Sequence, residues 1–184
     1  MKEFKPYKLK FSHYLEKLYQ SDKPLIIYKV DKGYDIFTDF SKKIILTNNK
    51  GVHSIKAGEY GLMSILMLHN HIPKIFVNQT ASRYESLYST RIAGSTIVIV
   101  GTGNLGGTVA ELLAPLGPKI IGVNLRGNPV KGCKEIVTIN KIDNILPSAD
   151  ILYLALPATP QTNNLIDRRR LNLLKRSCGI VNVG

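Results

Sequence analysis

The segment Ser95–Gly107 constrains the fold of this chain more than any other, because a β-branched run ends there in closely spaced glycines. The run has the length and composition of a buried strand. It leads into Gly101-x-Gly103-x-x-Gly106, in which each glycine has its own task. The first allows a sharp turn, the second lets the backbone approach a pyrophosphate, and the third lets a helix pack against its strand.

The residues after this turn place it between two strands. Apolar residues recur at helical spacing, at Leu105, Val109, Leu112, Leu113 and Leu116. Pro115 predicts a distorted last turn, and Gly117-Pro118 ends the helix before a second apolar run, Lys119–Asn124. Glycines also cluster in ordinary loops, but the strand–helix–strand context favours dinucleotide binding. The predicted contacts are Gly101, Gly103, Asn104, Leu105 and Gly106, with free amide groups of the helix start facing the phosphates.

Composition narrows the class of protein. The chain has 184 residues, 44% of them hydrophobic, which suffice for a packed core. It has no apolar run long enough to span a bilayer, and Met1–Lys5 is not followed by an apolar signal region, so we expect a cytoplasmic protein without a membrane partner. Cys133 and Cys178 have no neighbouring Cys or His, so neither a metal site nor a disulfide framework is expected.

The net charge of +12 raises the question of a nucleic-acid partner. The basic residues are scattered, however, in three groups: Lys2–Lys10; Lys42 and Lys43 with Lys50; and Arg168–Arg170 with Lys175 and Arg176. These groups do not form an interleaved aromatic platform of the kind that single-strand binders use. We therefore expect no nucleic-acid partner, and a solvated basic surface that attracts an anionic cofactor.

Strands alternate with helices along the remaining chain. The predicted strands cover residues 25–30, 43–48, 95–100, 119–124, 135–138, 151–156 and 179–183. Helices are predicted at 54–68, mostly buried, at 141–146 and at 167–174, and residues 77–94 are predicted to be a domain connection. This alternation is typical of an α/β fold with a doubly wound parallel sheet. We expect a partial substrate domain with its connection at 1–90, and a truncated Rossmann domain at 91–184.

Five motifs in this order carry a family resemblance: Gly33-Tyr34-Asp35; Asn48 with Gly51-Val52 and Glu59-Tyr60; the Gly101–Gly107 turn; Ser148–Ile166; and Leu174-Lys175 with Ile180–Gly184. Over residues 25–184 the chain resembles the D-isomer-specific 2-hydroxyacid dehydrogenases, most specifically in Ala149–Ile166. The resemblance implies two α/β domains, the N-terminal one flavodoxin-like, with cofactor and substrate in the cleft between them. It also implies NAD or NADP as cofactor, a small 2-keto or 2-hydroxy acid as substrate, and a homodimer in the intact family.

The resemblance assigns further site residues. Leu156, Pro157 and Thr162 line the far side of the cofactor, and Val183 and Gly184 also contact it. Backbone amides near Lys32, Gly33 and Tyr34 either contact a substrate carboxylate or form an ordinary turn. Glu59 occupies a family position on the buried helix and is interpreted as structural.

Three catalytic residues of the family follow the position of Asn182-Val183-Gly184, where this sequence ends. They are an arginine that holds the substrate, and a glutamate and a histidine that form the acid–base pair. His13, His53, His69 and His71 are interpreted as surface or packing residues. The expectation is an NAD(P)-dependent dehydrogenase present as a fragment without catalytic residues, and inactive alone. The alternative is a catalytically silent dinucleotide-binding or corepressor-like regulatory protein, and the coding sequence after codon 184 would discriminate between the two.

Asn124 and Arg126 bear on the choice of dinucleotide. NAD sites place an Asp or Glu at the end of the second strand to bind the ribose hydroxyls. Asn124 stands at that position, and the cationic Arg126 follows two residues later. Unless Arg126 merely points into solvent, the pair predicts that NADP is accepted at least as well as NAD.

Overall fold

The structure is a computed structural model that describes residues 25–29, 44–48 and 54–184. The chain divides into two units, Met1–Lys50 and Gly51–Gly184. In the first, strand β1 (Leu25–Lys29) pairs in parallel with β2 (Ile44–Asn48). These two strands correspond to the strands predicted at residues 25–30 and 43–48. Lys32, Gly33 and Tyr34 lie outside the described residues, and the domain boundary at residues 90 and 91 stays a prediction.

The second unit is built on a five-stranded parallel sheet with the order β5-β4-β3-β6-β7. Its strands are β3 (Thr96–Val100), β4 (Lys119–Asn124), β5 (Glu135–Thr138), β6 (Ile151–Leu154) and β7 (Gly179–Asn182). The central strand β3 sets Ile97 opposite Ile120 on one side and Ile151 on the other. The strand order runs outward from β3 in both directions, which confirms the doubly wound Rossmann-type sheet and leaves a crevice at the carboxyl ends of the central strands.

Helices connect these strands. The α-helices are α1 (Ser54–His69), α2 (Ile72–Thr80), α3 (Asn104–Leu113) and α4 (Arg168–Leu171). Short 3-10 segments cover Ile92–Gly94, Ala114–Leu116, Ile139–Asn144 and Leu146–Ser148. The short helix predicted at 141–146 corresponds to two 3-10 segments, and the helix predicted at 167–174 is shorter than expected. None of the described helices is long and apolar enough to cross a membrane.

Both faces of the sheet are covered by buried apolar side chains. Ile97 and Ile99 of β3 point into one cluster with Val109 and Leu113 of α3. Val98 and Val100 alternate with them and point into a second cluster on the other face, which includes Ile142, Leu146 and Leu152. Because successive strand residues face opposite sides, a strand buried on both faces is a continuous apolar run, as Thr96–Val100 is.

Two glycines let α1 pack closely against α3. A Cβ atom at Gly58 would lie 2.5 Å from Thr108 Cγ2, and one at Gly61 would lie 2.6 Å from Val109 Cγ2. Both positions lie directly against side chains of α3, so only residues without a side chain allow this close approach. The prediction of a mostly buried helix is wrong, because only Gly58, Gly61 and Ile65 are buried and Ile55 is 70% exposed.

The end of α3 also departs from the regular helix that the apolar spacing predicts. The helix tightens into a 3-10 turn at Ala114–Leu116, which confirms the distortion predicted at Pro115. A 3-10 turn has fewer residues per turn than an α-helix, so residues within it shift away from the row that helical spacing predicts. Leu116, the last apolar residue of that spacing, lies in this turn and is 41% exposed.

Tyr153 on β6 supplies a first testable prediction about the core. The side chain is fully buried, and its hydroxyl has no hydrogen-bond partner within the described part of the chain. Burial also raises the pKa of this phenol. An unpaired buried hydroxyl is costly, so Tyr153→Phe is expected to raise the free energy of unfolding by about 1 kcal/mol in denaturant titration. Tyr84→Phe, at a 92% exposed tyrosine, is the matched control and should change nothing. A clear loss of stability in Tyr153→Phe would contradict the absence of a partner.

Candidate cofactor site at the carboxyl edge of the sheet

The first glycine of the turn is required by the backbone itself. Gly101 has a φ of +92°, a conformation that side chains rarely adopt. A Cβ atom there would lie 2.6 Å from the carbonyl oxygen of Ala155. The amide of Gly101 donates to the carbonyl of Val123 at 2.9 Å, so the turn is fastened to β4 as the chain leaves β3.

The third glycine is required by packing. Gly106 lies in the first turn of α3 and is buried. A Cβ atom there would collide with the carbonyl oxygen of Gly101 and lie 3.0 Å from Ile99 Cγ2. The helix can therefore approach β3 this closely only with glycine at this position.

The middle glycine is not required by the protein. Gly103 has φ −75° and ψ −155°, an extended conformation open to any residue. A Cβ atom there would meet no described heavy atom within 4 Å. Glycine is also a favoured residue at a helix N-cap, and its lack of a side chain leaves this exposed stretch of backbone open to close approach from outside the protein.

The backbone amide groups next to Gly103 can donate hydrogen bonds to a group that approaches from outside. In an α-helix the first N–H groups have no acceptor within the helix, and they carry the positive end of the helix dipole. Gly103 is the N-cap of α3, and no side chain caps the helix start, where Asn104, Leu105 and Gly106 lie. The start of α3 thus offers unpaired donors to an anion, beneath the open space above Gly103.

The loop after β4 borders the turn on one side. Asn124 ends β4, and its side chain donates to Thr102 Oγ1 at 3.1 Å, which joins the two loops. Arg126 is exposed, and its guanidinium forms no hydrogen bond or ion pair with any residue that the structure describes. A cation without a partner therefore stands on the loop next to the glycine turn.

A cavity of about 740 Å³ lies on the other side, beyond β6. Leu156, Pro157, Thr162 and Gly184 line it, together with Leu154, Ala158, Thr159, Pro160, Asn163, Asn164, Leu165, Ile166 and Asn182. None of these side chains is titratable. A Cβ atom at Gly101 would lie 2.8 Å from Leu156 Cδ2, so the cavity adjoins the glycine turn.

Thr162 shapes this cavity through its own loop. Its Oγ1 donates to the carbonyl of Pro157 at 2.5 Å and accepts from the amide of Thr159 at 3.0 Å. Thr162 therefore folds the loop that forms the wall. Val183 does not line the cavity; its amide donates to the carbonyl of Leu154 at 3.0 Å and continues the pairing of β7.

The two described histidines lie at the opposite edge of the sheet. His69 and His71 line a separate cavity with Ser95, Asp150 and Gly179, at the amino ends of β3, β6 and β7. His69 Nε2 is 2.8 Å from the carbonyl of Thr90, and its Nδ1 is 3.4 Å from Ser95 Oγ. Neither histidine reaches the carboxyl edge, in keeping with their interpretation as packing residues.

The carboxylate of Asp150, just before β6, lies at this amino-end edge. Burial raises the pKa of its carboxyl, but hydrogen bonds from Lys175 at 2.7 Å and from the amide of Thr96 at 2.8 Å outweigh burial and hold the pKa below its ordinary value. The ionised carboxylate thereby ties the start of β6 to the start of β3. Its role is to hold two strands in register.

Sequence reasoning missed the residues that hold the site loops. Thr102 and Asn128 accept hydrogen bonds from Asn124, and Thr159 pairs with Thr162. Asn followed by glycine within a few residues is a turn signal that could have pointed to the Asn124 loop. Nothing in the motif marks Thr102, because it stands at an unspecified position of the glycine pattern.

Comparison with known proteins agrees with this geometry. Residues 62–184 match the family described as D-isomer specific 2-hydroxyacid dehydrogenase, NAD binding domain. A similar curated protein is the D-lactate dehydrogenase of Treponema pallidum, 29% identical over 156 residues, which are 82% of this chain and 46% of that protein.

Two solved structures show the same fold. One is a D-isomer specific 2-hydroxyacid dehydrogenase from Lactobacillus delbrueckii ssp. bulgaricus in an NAD-complexed form, with a TM-score of 0.66, 27% identity, and coverage of 76% of this chain and 43% of that one. The other, from Xanthobacter autotrophicus Py2 in complex with NADPH and MES, has a TM-score of 0.66 at 23% identity, and the match covers 71% of this chain and 54% of that one. The chain thus spans about half the length of these proteins.

Proposed function

Because the chain belongs to the D-isomer-specific 2-hydroxyacid dehydrogenases, we propose that its second unit binds NADP or NAD along the carboxyl edge of the sheet. The observation that carries this proposal is Gly103, whose backbone faces open space beside the uncapped start of α3. The pyrophosphate would accept hydrogen bonds from amides of Asn104, Leu105 and Gly106, as anions do at helix starts.

The groove on either side of the turn fits the rest of a dinucleotide. Arg126 stands on the β4 side, where Rossmann sites receive the adenosine ribose. Leu156, Pro157 and Gly184 line the cavity on the β6 side, whose apolar wall suits a flat ring. Val183 and Thr162 would act through the backbone that they hold in place. None of the cavity-lining residues that the structure describes has a side-chain carboxylate to oppose a phosphate.

We further propose that the whole protein interconverts a 2-keto acid and a 2-hydroxy acid. The nicotinamide, when bound, supplies the hydride. The residues of the second unit bind and orient it, since no titratable side chain lines the cavity. Contact of the backbone near Lys32, Gly33 and Tyr34 with the substrate carboxylate stays a prediction from the family resemblance.

The proposal includes a cytoplasmic homodimer without a nucleic-acid partner. Support for self-association comes from α2, where Ile75, Phe76 and Val77 are 42%, 56% and 67% exposed. Exposed apolar side chains grouped on one element are typical of protein interfaces.

Titration of the full chain with NADPH, NADH and AMP, followed by nucleotide fluorescence and calorimetry, tests the proposal. We expect saturable binding of both dinucleotides, and weaker binding of AMP, which lacks the pyrophosphate. A chain that bound neither dinucleotide would contradict it.

The choice between the two dinucleotides gives a separate prediction. A phosphate paired with arginine forms charge-assisted hydrogen bonds. Arg126→Gln is therefore expected to lower NADP affinity about tenfold and to leave NAD affinity within about twofold. Arg176→Gln, an equal loss of charge just before β7 at the other edge, is the control. A wild-type chain with strong NAD preference, or equal effects of the two variants, would refute this role of Arg126.

A further inference from the structure

We infer that Asn124 positions the cofactor loop, and does not itself bind the ribose. Its side chain closes residues 124–128 into a fixed loop and fastens that loop to the glycine turn. This inference rests on the proposed dinucleotide site. It attributes the preference of that site between NADP and NAD to the hydrogen-bond network of Asn124.

The first support is that the protein uses the whole hydrogen-bonding capacity of the amide. An asparagine side chain has two N–H donors and two acceptor lone pairs. Oδ1 accepts from the amides of Arg126 at 3.2 Å and Gly127 at 2.6 Å. Nδ2 donates to Thr102 Oγ1 at 3.1 Å and to the carbonyl of Asn128 at 3.0 Å. No capacity is left for a ribose hydroxyl.

The second support is that the network needs a donor at this position. An aspartate in the same conformation would keep both bonds that Oδ1 accepts. Its other oxygen, however, would lie about 3.0 Å from the carbonyl oxygen of Asn128, with no proton between them. Thr102 could reverse its hydroxyl to donate, whereas a carbonyl cannot. Asparagine therefore fits this loop, and the acid of NAD-specific sites does not.

The third support is the position of Arg126 within the loop. Its amide is one of the two that Asn124 holds, and Gly127 beside it has a φ of +72°, which completes the turn. Thr102, the other end of the network, stands between Gly101 and Gly103. The Asn124 side chain thus holds the backbone from which the Arg126 side chain extends, at a fixed place relative to the amides that would receive the pyrophosphate.

A double-mutant cycle tests the coupling. Kd values for NADP and NAD are measured in the full chain for wild type, Asn124→Ala, Arg126→Gln and the double variant. We expect Asn124→Ala to lower the NADP:NAD affinity ratio by roughly five- to tenfold. In the Arg126→Gln background the same change should leave that ratio nearly constant, because the cation that Asn124 positions is gone. Additive effects on the ratio, or equal losses for both dinucleotides, would overturn the positioning role.

Two further variants separate the network from a general loss of structure. Thr102→Val removes the oxygen and is expected to lower the ratio about threefold, while Thr102→Ser restores it to within about twofold of wild type. Asn124→Asp is expected to weaken NADP without tightening NAD. Tighter NAD binding in Asn124→Asp would mean that residue 124 contacts the ribose directly, which overturns the inference. Failure of the wild-type chain to bind either dinucleotide would overturn the proposed function as well.

Discussion

Gly103→Val is expected to lower the affinity of the chain for NADP at least about 100-fold, a loss of about 2.7 kcal/mol or more. The valine side chain would fill the space that Gly103 leaves open and push the pyrophosphate away from the first turn of α3. Charge-assisted hydrogen bonds to several amides would be lost together. The measurement is a calorimetric titration of the purified variant with NADP.

The same variant should fold normally. The backbone of Gly103 is extended, and a Cβ atom at this position would touch no described atom, so valine meets no steric barrier. The loss of glycine at the N-cap of α3 costs about 1 kcal/mol, which the lower entropy of the unfolded chain partly offsets. We expect a melting temperature within about 4 °C of wild type. Unchanged NADP affinity in a folded Gly103→Val chain would refute the assignment of the glycine turn as the phosphate site.

Gly106→Ala, unlike Gly103→Val, is expected to cause a large loss of stability. The added methyl group would collide with the Gly101 carbonyl oxygen, which belongs to the backbone and cannot rotate away. Helix α3 would have to shift from β3, disturbing a cluster in which Ile99 and Val109 are fully buried. We expect a loss of at least about 3 kcal/mol in the free energy of unfolding, measured by denaturant titration.

Gly107→Ala provides the matched control on the next residue of the same helix. Its Cβ atom would make ordinary contacts, 3.7 Å from the carbonyl oxygen of Thr102 and 3.8 Å from Val130 Cγ1. Alanine is also favoured over glycine inside a helix, by about 0.5–1 kcal/mol. Gly107→Ala should therefore be at least as stable as wild type. Equal stability of Gly106→Ala and Gly107→Ala would show that α3 does not pack as closely as described.

The strand, turn and first helix of the second unit could be predicted because their determinants are local. The run Thr96–Val100 is apolar at every position after the first, and Gly101, Gly103 and Gly106 follow at fixed spacing. The structure adds a distinction that the pattern cannot make: packing and backbone geometry require Gly101 and Gly106, whereas neither constrains Gly103.

The exposure and the contacts of residues that depend on neighbouring elements were harder to predict from the sequence. Apolar spacing indicates that α1 is a helix, but it does not show that Ile55 and Met63 are exposed. The short helix α2 lacks a sustained apolar stripe, and proline in its first turn resembles a loop signal as much as a helix start. One partner of Asn124, Thr102, lies in a different strand connection and becomes visible only when β3 and β4 are paired.

The most direct test of the dinucleotide site is an NMR titration of the isotope-labelled full chain with NADP. If the pyrophosphate binds the start of α3, the amide signals of Asn104, Leu105 and Gly106 will show the largest shifts and will saturate together. Amides at the amino ends of the strands, such as those of Thr96 and Ile151, should hardly move. Largest shifts at the amino ends, or no saturable shift in the first turn of α3, would contradict the site.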